Sequence, residues 1–222
     1  MGRPAVVFDY GGVIITPITN KLSEIADTHG VEMMVMLELL MGPRYTSGDH
    51  PWHRAERGEL PTDALQSLIE PYAAAAGIEL VGDEYARLLD SPTYHYNTQV
   101  VDRIARLRAE GVTTALLTNS FQEFRPVLES QLDFALFDVV VDSSAEGCRK
   151  PEPEIYAIVA ERVATPSDHT IYLDDFHHNL GPAIELGWKV IHVSDPDEAL
   201  EQLDRQLAAL TGDATTNDGG ER

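Results

Sequence analysis

Residues 4–12 read Pro-Ala-Val-Val-Phe-Asp-Tyr-Gly-Gly. The apolar run has no polar alternation, so it suits a strand buried on both faces rather than one with a wet side. It stops at Asp9, and the two glycines behind it suit a tight turn. A carboxylate at the carboxyl end of a buried parallel strand is where open α/β sheets place their ligands.

Downstream of residue 98 the same kind of strand recurs between helical patterns. VVDRIARLRAEG has apolar residues at helical spacing up to Gly111, and VTTALLT (112–118) reads as a buried strand. A short helix FRPVLESQL, a strand FDVVVD (137–142) and a helix PEIYAIVAERV (153–163) follow. TIYLDD (170–175) and KVIHV (189–193) are strands around the helix LGPAIELG (180–187), and PDEALEQLDRQLAAL is a final helix. Alternation of this kind predicts an α/β fold, a Rossmann-like doubly wound parallel sheet with helices on both faces. Residues 16–95 interrupt it. They read as helices at 18–41, 62–76 and about 83–90, with Gly30 and Gly42 as stops and a loop over 43–61 around Trp52. The expected organisation is a core made of 1–15 and 96–211, a helical cap over 16–95, and a disordered polar tail over 212–222.

The chain carries 37 acidic against 16 basic residues, a formal net charge of −21 over 222 residues. Such a surface repels nucleic acid and anionic membranes, which excludes both as main partners. No stretch approaches the roughly 20 apolar residues of a membrane helix, and the first ten residues are too short an apolar run for a signal peptide. The single cysteine, Cys148, permits no internal disulfide. A cytoplasmic protein is the expectation.

The chemistry-bearing residues gather at strand ends. The first strand ends in Asp9, the second in Thr118-Asn119-Ser120, and the fourth in Asp174-Asp175; a loop after the third carries Arg149-Lys150-Pro151. Three carboxylates at one edge repel each other unless a cation sits among them, and hard oxygen ligands suit Mg2+. Thr118 and Asn119 offer donors to an anion, and Lys150 offers a fixed charge. Together these make a phosphoryl-transfer set with Asp9 as nucleophile.

FDYGGVI, LLTNS, RKPEPEIY and YLDDFHHNLGPAIELGW, in this order, resemble the four motifs of haloacid dehalogenase-type hydrolases. The pattern is similar to the branch with a helical cap after the first strand. That branch includes the phosphatase domain of bifunctional epoxide hydrolases and bacterial sugar-phosphatase-like proteins. The resemblance implies an aspartyl-phosphate on Asp9, and Mg2+ held by Asp9, the carbonyl of Gly11 and Asp175, with Asp174 in support. It also implies a phosphoryl group held by Thr118 and Lys150, with Gly11, Gly12, Asn119, Ser120 and Asn179 around the substrate. The expected substrate is a small phosphorylated molecule. One position departs from the pattern. Most family phosphatases carry a general-acid Asp two residues after the nucleophile, where this chain has Gly11. A positioned acid contributes about 10²–10⁴ in rate. The expectations are therefore a phosphatase acting on a good leaving group, a binding protein with an impaired site, or a dehalogenase using Asp9 on carbon–halogen bonds. His177 or His178 is a replacement-acid hypothesis. Arg54, beside His50, Trp52 and His53, is a candidate for a second anionic group. Met33, Met34, Met36 and Met41 are candidates for an apolar pocket, and Cys148, though beside two cations that would favour thiolate, reads as incidental because no Cys-His motif surrounds it.

Overall fold

The computed structural model describes residues 3–43, 45–80, 84–89 and 94–212, with the backbone alone at 85–87. Five parallel strands form one sheet in the order β3-β2-β1-β4-β5, with β1 at Ala5–Phe8, β2 at Thr113–Thr118, β3 at Val139–Asp142, β4 at Thr170–Asp174 and β5 at Lys189–His192. The four residues of β1 are fully buried because the sheet is covered on both sides. Val6 and Phe8 join one apolar layer with Ile104 of α6 (Thr98–Ala109) and Leu203 of α11 (Pro196–Thr211). Ala5 and Val7 join the other, with Tyr156 of α9 (Pro153–Val163) and Leu180 of α10 (His177–Glu185). This is the period of two in a strand with no wet face.

Register decides what meets at the edge. Phe8 pairs with Leu116 on one side and Leu173 on the other. The Asp9 amide then donates to the Leu173 carbonyl at 3.0 Å, carrying the ladder one residue further. Asp9, Thr118 and Asp174 therefore stand in a row at the carboxyl ends of the three middle strands.

Among the described residues between β1 and α6 stand five α-helices: α1 (Thr19–His29), α2 (Met33–Met41), α3 (Pro51–Glu56), α4 (Leu65–Ala75) and α5 (Glu84–Leu89). No strand occurs there among the described residues. They enclose an apolar cluster of their own that includes Leu22, Leu37, Trp52, Leu65 and Leu88. The chain leaves the sheet and returns to it through paired segments: Thr16 N donates to His95 O and Asn97 N to Ile14 O, each at 2.9 Å. Gly30 ends α1 in the left-handed region at φ 65, as expected from its place in the sequence.

The loop expected around Trp52 is instead helix α3. Pro51 sits at its first turn and the His50 ring accepts from Trp52 N at 3.2 Å. Six residues are too few to show helical periodicity, so capping rather than pattern marks this helix. α4 is preceded by one tight turn at Thr62–Ala64, and α10 begins three residues before the expected start at Leu180. α7 (Arg125–Gln131) and α8 (Ser143–Glu146) are further short helices, beside single helical turns at Gln122–Phe124, Phe134–Leu136 and Ser167–His169. α11 runs to Thr211, and residues 213–222 of the expected disordered tail lie outside the described residues. No helix among the described residues is long and apolar enough to cross a membrane.

Candidate active site

At the row of strand ends a buried lysine sits between two buried carboxylates. Lys150 Nζ lies 2.7 Å from Asp9 Oδ1 and 2.8 Å from Asp174 Oδ2. All three residues are at least 95% buried. Removing charges from water is costly, and only mutual attraction with full hydrogen bonding offsets it. Asp174 is satisfied on every side: Tyr172 Oη donates to it, Phe176 N donates at 2.7 Å, and Asn179 Nδ2 lies 3.1 Å from both oxygens. Burial alone works against the Lys150 charge, yet Asp174 and Asp9 beside it hold its pKa above the usual lysine value. Asp9 is pushed up to about 7, chiefly by burial and further by Asp174, with Lys150 pulling the other way.

The lysine is held by its backbone as well. Asn119 Oδ1 accepts from Lys150 N at 2.8 Å and Asn119 Nδ2 donates to Lys150 O at 3.1 Å. Both ends of that amide are thus engaged. Asn119 thereby braces the Lys150 backbone while it also lines the cavity. Asn179 likewise acts through Asp174, and its carbonyl accepts from Tyr156 Oη at 2.7 Å. Thr118, 4% exposed, and Ser120 both line the cavity above the lysine.

Asp9, Asp174 and Asp175 each offer a carboxylate oxygen, and these oxygens lie within 4.8 Å of one another. A set of hard oxygen donors with no nitrogen or sulfur suits Mg2+. Asp174 already accepts from four groups, while both recorded bonds of Asp9 fall on Oδ1. The donor set that fits a cation is therefore Asp9 and Asp175, with Asp174 holding the lysine. Asp175 is seated by Gly12, which has φ 74 and no side chain; a Cβ built there falls on the Asp175 carboxylate. Gly11 differs from its neighbour. A Cβ there meets nothing within 4 Å, and its φ is outside the left-handed region.

Several expected residues are not brought to this cluster. Arg54 lies on α3 and pairs with Glu59 at 3.2 Å near the surface, outside the cavity lining. His177 is exposed and packs against the His192 ring, because α10 starts there and turns it toward β5; His178 packs against Tyr45 and Phe176. Neither histidine lines the cavity. Of the methionines, Met41 reaches it, Met36 is buried in the helical cluster and Met34 is 52% exposed. The Cys148 thiol is pushed up to about 11 by burial and by Glu152, Glu146 and Glu154, against the pull of the two adjacent cations and in keeping with an incidental role. The neighbouring cations are engaged elsewhere, Lys150 with the carboxylates and Arg149 with Glu56 at 2.5 Å.

Two participants were not anticipated. Tyr172 stands two residues before Asp174 on the same strand face, so the period of two carried a signal for it. Glu56 meets Arg149 across 93 residues of chain, and no local pattern announces such a pair.

A family model described as haloacid dehalogenase-like hydrolase matches residues 4–187. The chain belongs to that family of hydrolases. It is 32% identical over 207 residues to acyl-CoA dehydrogenase family member 10 of Mus musculus, covering 91% of this chain but 19% of the mouse protein. It is 28% identical over 209 residues to the sesquiterpene phosphatase astK of Aspergillus oryzae, covering 91% of this chain and 95% of the fungal one. A crystal structure of a HAD family enzyme from Bacteroides thetaiotaomicron, in complex with magnesium and inorganic phosphate, superposes with a TM-score of 0.59 at 20% identity. It covers 86% of this chain and 94% of that one. At that identity the likeness speaks for the fold.

Proposed function

We propose that this protein is a magnesium-dependent phosphatase for a small phosphorylated molecule, working through an aspartyl-phosphate on Asp9. The observation that carries the reading is the buried Lys150 bridging Asp9 and Asp174 beside Asp175 at the sheet edge. Asp9 and Asp175, with the Gly11 carbonyl, would hold the ion, which when bound supplies positive charge to the phosphoryl oxygens and keeps Asp9 ionised. An Asp9 oxygen attacks phosphorus and the ester P–O bond breaks. Thr118 and Lys150 bear on the transferring group, and Lys150 offsets the charge gathering there. Water then cleaves the acyl phosphate, returning Asp9 and releasing phosphate.

The leaving oxygen finds no side chain at position 11 to protonate it. Esters of weakly basic alcohols or phenols are therefore the better substrates. The helical segment 16–95 serves as the cap over this site, and the single cysteine suits a reducing cytoplasm. The fungal relative, matched over nearly its whole length, supports phosphoester chemistry. The empty space at Gly11 favours a second reading, a phosphometabolite-binding protein without turnover. The two separate with p-nitrophenyl phosphate, whose leaving group needs little protonation. Magnesium-dependent hydrolysis that disappears in Asp9→Asn is the expected result. Tight magnesium binding with no hydrolysis in the wild type would leave the binding reading in place.

A further inference from the structure

The phosphoryl end of the site opens into a cavity of about 200 Å3 whose remaining wall is apolar. Ile18, Trp52 and Leu88 contribute from the helical side, and Phe124, Val127 and Leu128 from the sheet side around α7. For scale, an engineered cavity of roughly 150 Å3 lined by Leu, Ile and Phe binds benzene.

Most of the polar groups along this wall have bonds already, although Arg149 Nη1 is buried without a hydrogen-bond partner. Tyr94 Oη donates to Leu88 O at 2.9 Å, and Tyr96 Oη meets Tyr10 Oη at 3.2 Å. Thr16 Oγ1 accepts from His95 N at 3.2 Å. Arg149 and Glu56 neutralise each other. A sugar ring entering here would give up its water and leave its hydroxyls with few partners, a discrimination of about 100-fold against an added hydroxyl in an apolar pocket. A second anionic group would meet the Glu56 carboxylate beside the Arg149 guanidinium. A hydrocarbon loses nothing of this kind and gains by leaving water.

We propose that the group esterified to the phosphate is a hydrocarbon, an alkyl, isoprenoid or aryl moiety, and that the chamber between the helical insert and α7 selects it. The placement of the phosphate rests on the phosphatase reading; the selection of the tail rests on the chamber. The test is a chain-length series. Alkyl esters turn over slowly without an acid at position 11, but n-alkyl phosphates from butyl to octyl share one leaving-group basicity, so with magnesium present their kcat/KM values report the tail alone and are expected to rise by about fourfold per methylene that becomes buried. Octyl phosphate should exceed glucose 6-phosphate by about 100-fold. Val127→Asp, at a half-buried position, should reduce the octyl-to-butyl ratio by about tenfold. In parallel, calorimetry on Asp9→Asn follows the affinity for butyl- and octylphosphonate. A flat series, or preference for glucose 6-phosphate, overturns the inference while leaving phosphatase chemistry intact. If no ester is hydrolysed at all, p-nitrophenyl phosphate included, the phosphatase reading fails. The phosphonate affinities then decide alone: a rise with chain length sustains the hydrocarbon chamber, and equal affinities overturn it.

Discussion

The two sides of the cavity are built on different physics. The floor at the strand ends is charged and buried, and most of its polar atoms are bonded. Asp9, Lys150 and Asp174 are contributed by three strand ends or their loops, and each is held by at least two partners. The helical side is apolar and makes its contacts by area, with Trp52, Met41 and Leu88 packed into a cluster of their own. A charge in a low-dielectric site must be positioned to within a few tenths of an ångström, whereas an apolar wall needs only volume and shape. On the proposed phosphatase reading, the reacting atoms belong to the sheet edge and recognition falls to the apolar wall.

Substitutions on the two sides should separate accordingly. The largest expected effect is a gain. Gly11 is an open position beside the nucleophile, so Gly11→Asp should raise hydrolysis of an unactivated alkyl phosphate by about 10²–10⁴, with much less change for p-nitrophenyl phosphate. Equal gains on both substrates would mean that something other than protonation of the leaving group had improved. Next comes Lys150→Met, which strands two buried carboxylates and should cost about 3–5 kcal/mol in denaturant unfolding. A loss below about 1 kcal/mol would show that water reaches the cluster and that the charged floor is less dry than its burial implies. Gly12→Ala should cost about 1–3 kcal/mol and weaken magnesium binding, because the new methyl collides with Asp175 at a left-handed φ. Gly11→Ala, one residue away, is the control and should change neither. The smallest effect belongs to the helical side. Met41→Leu nearly conserves volume and should cost less than about 1.5 kcal/mol by thermal melting, with the p-nitrophenyl phosphate rate retained. A large loss there would erase the distinction between the two sides.

Legibility followed the same division. Asp9, Thr118, Lys150, Asp174 and Asp175 were readable because each stands at the end of an apolar run or beside a glycine or proline. Local pattern and strand geometry then place such residues on one edge. Tyr172 shared that signal through its spacing from Asp174. The helical side was harder. Helix α3 is too short to show a period, and only its Pro51 cap marked it. The methionine cluster was visible as apolar, but which of its members reach the cavity depends on the rotation of α2, and a single methionine, Met41, arrives.

What the sequence determined by itself is the kind of fold and the chemistry at its edge: buried strands alternating with helices leave few topologies, and a parallel sheet gathers its strand ends whatever the loops do. What only the tertiary structure decided is how each group is used. Asn119 turned out to hold the lysine backbone, Asp174 to hold its ammonium, Arg149 to be neutralised by Glu56, and Cys148 to be surrounded by carboxylates. The first three depend on partners tens of residues distant; the charges around Cys148 are close in sequence, but the free energy of a charge is set by what lies within a few ångströms in space, which spacing along the chain does not encode.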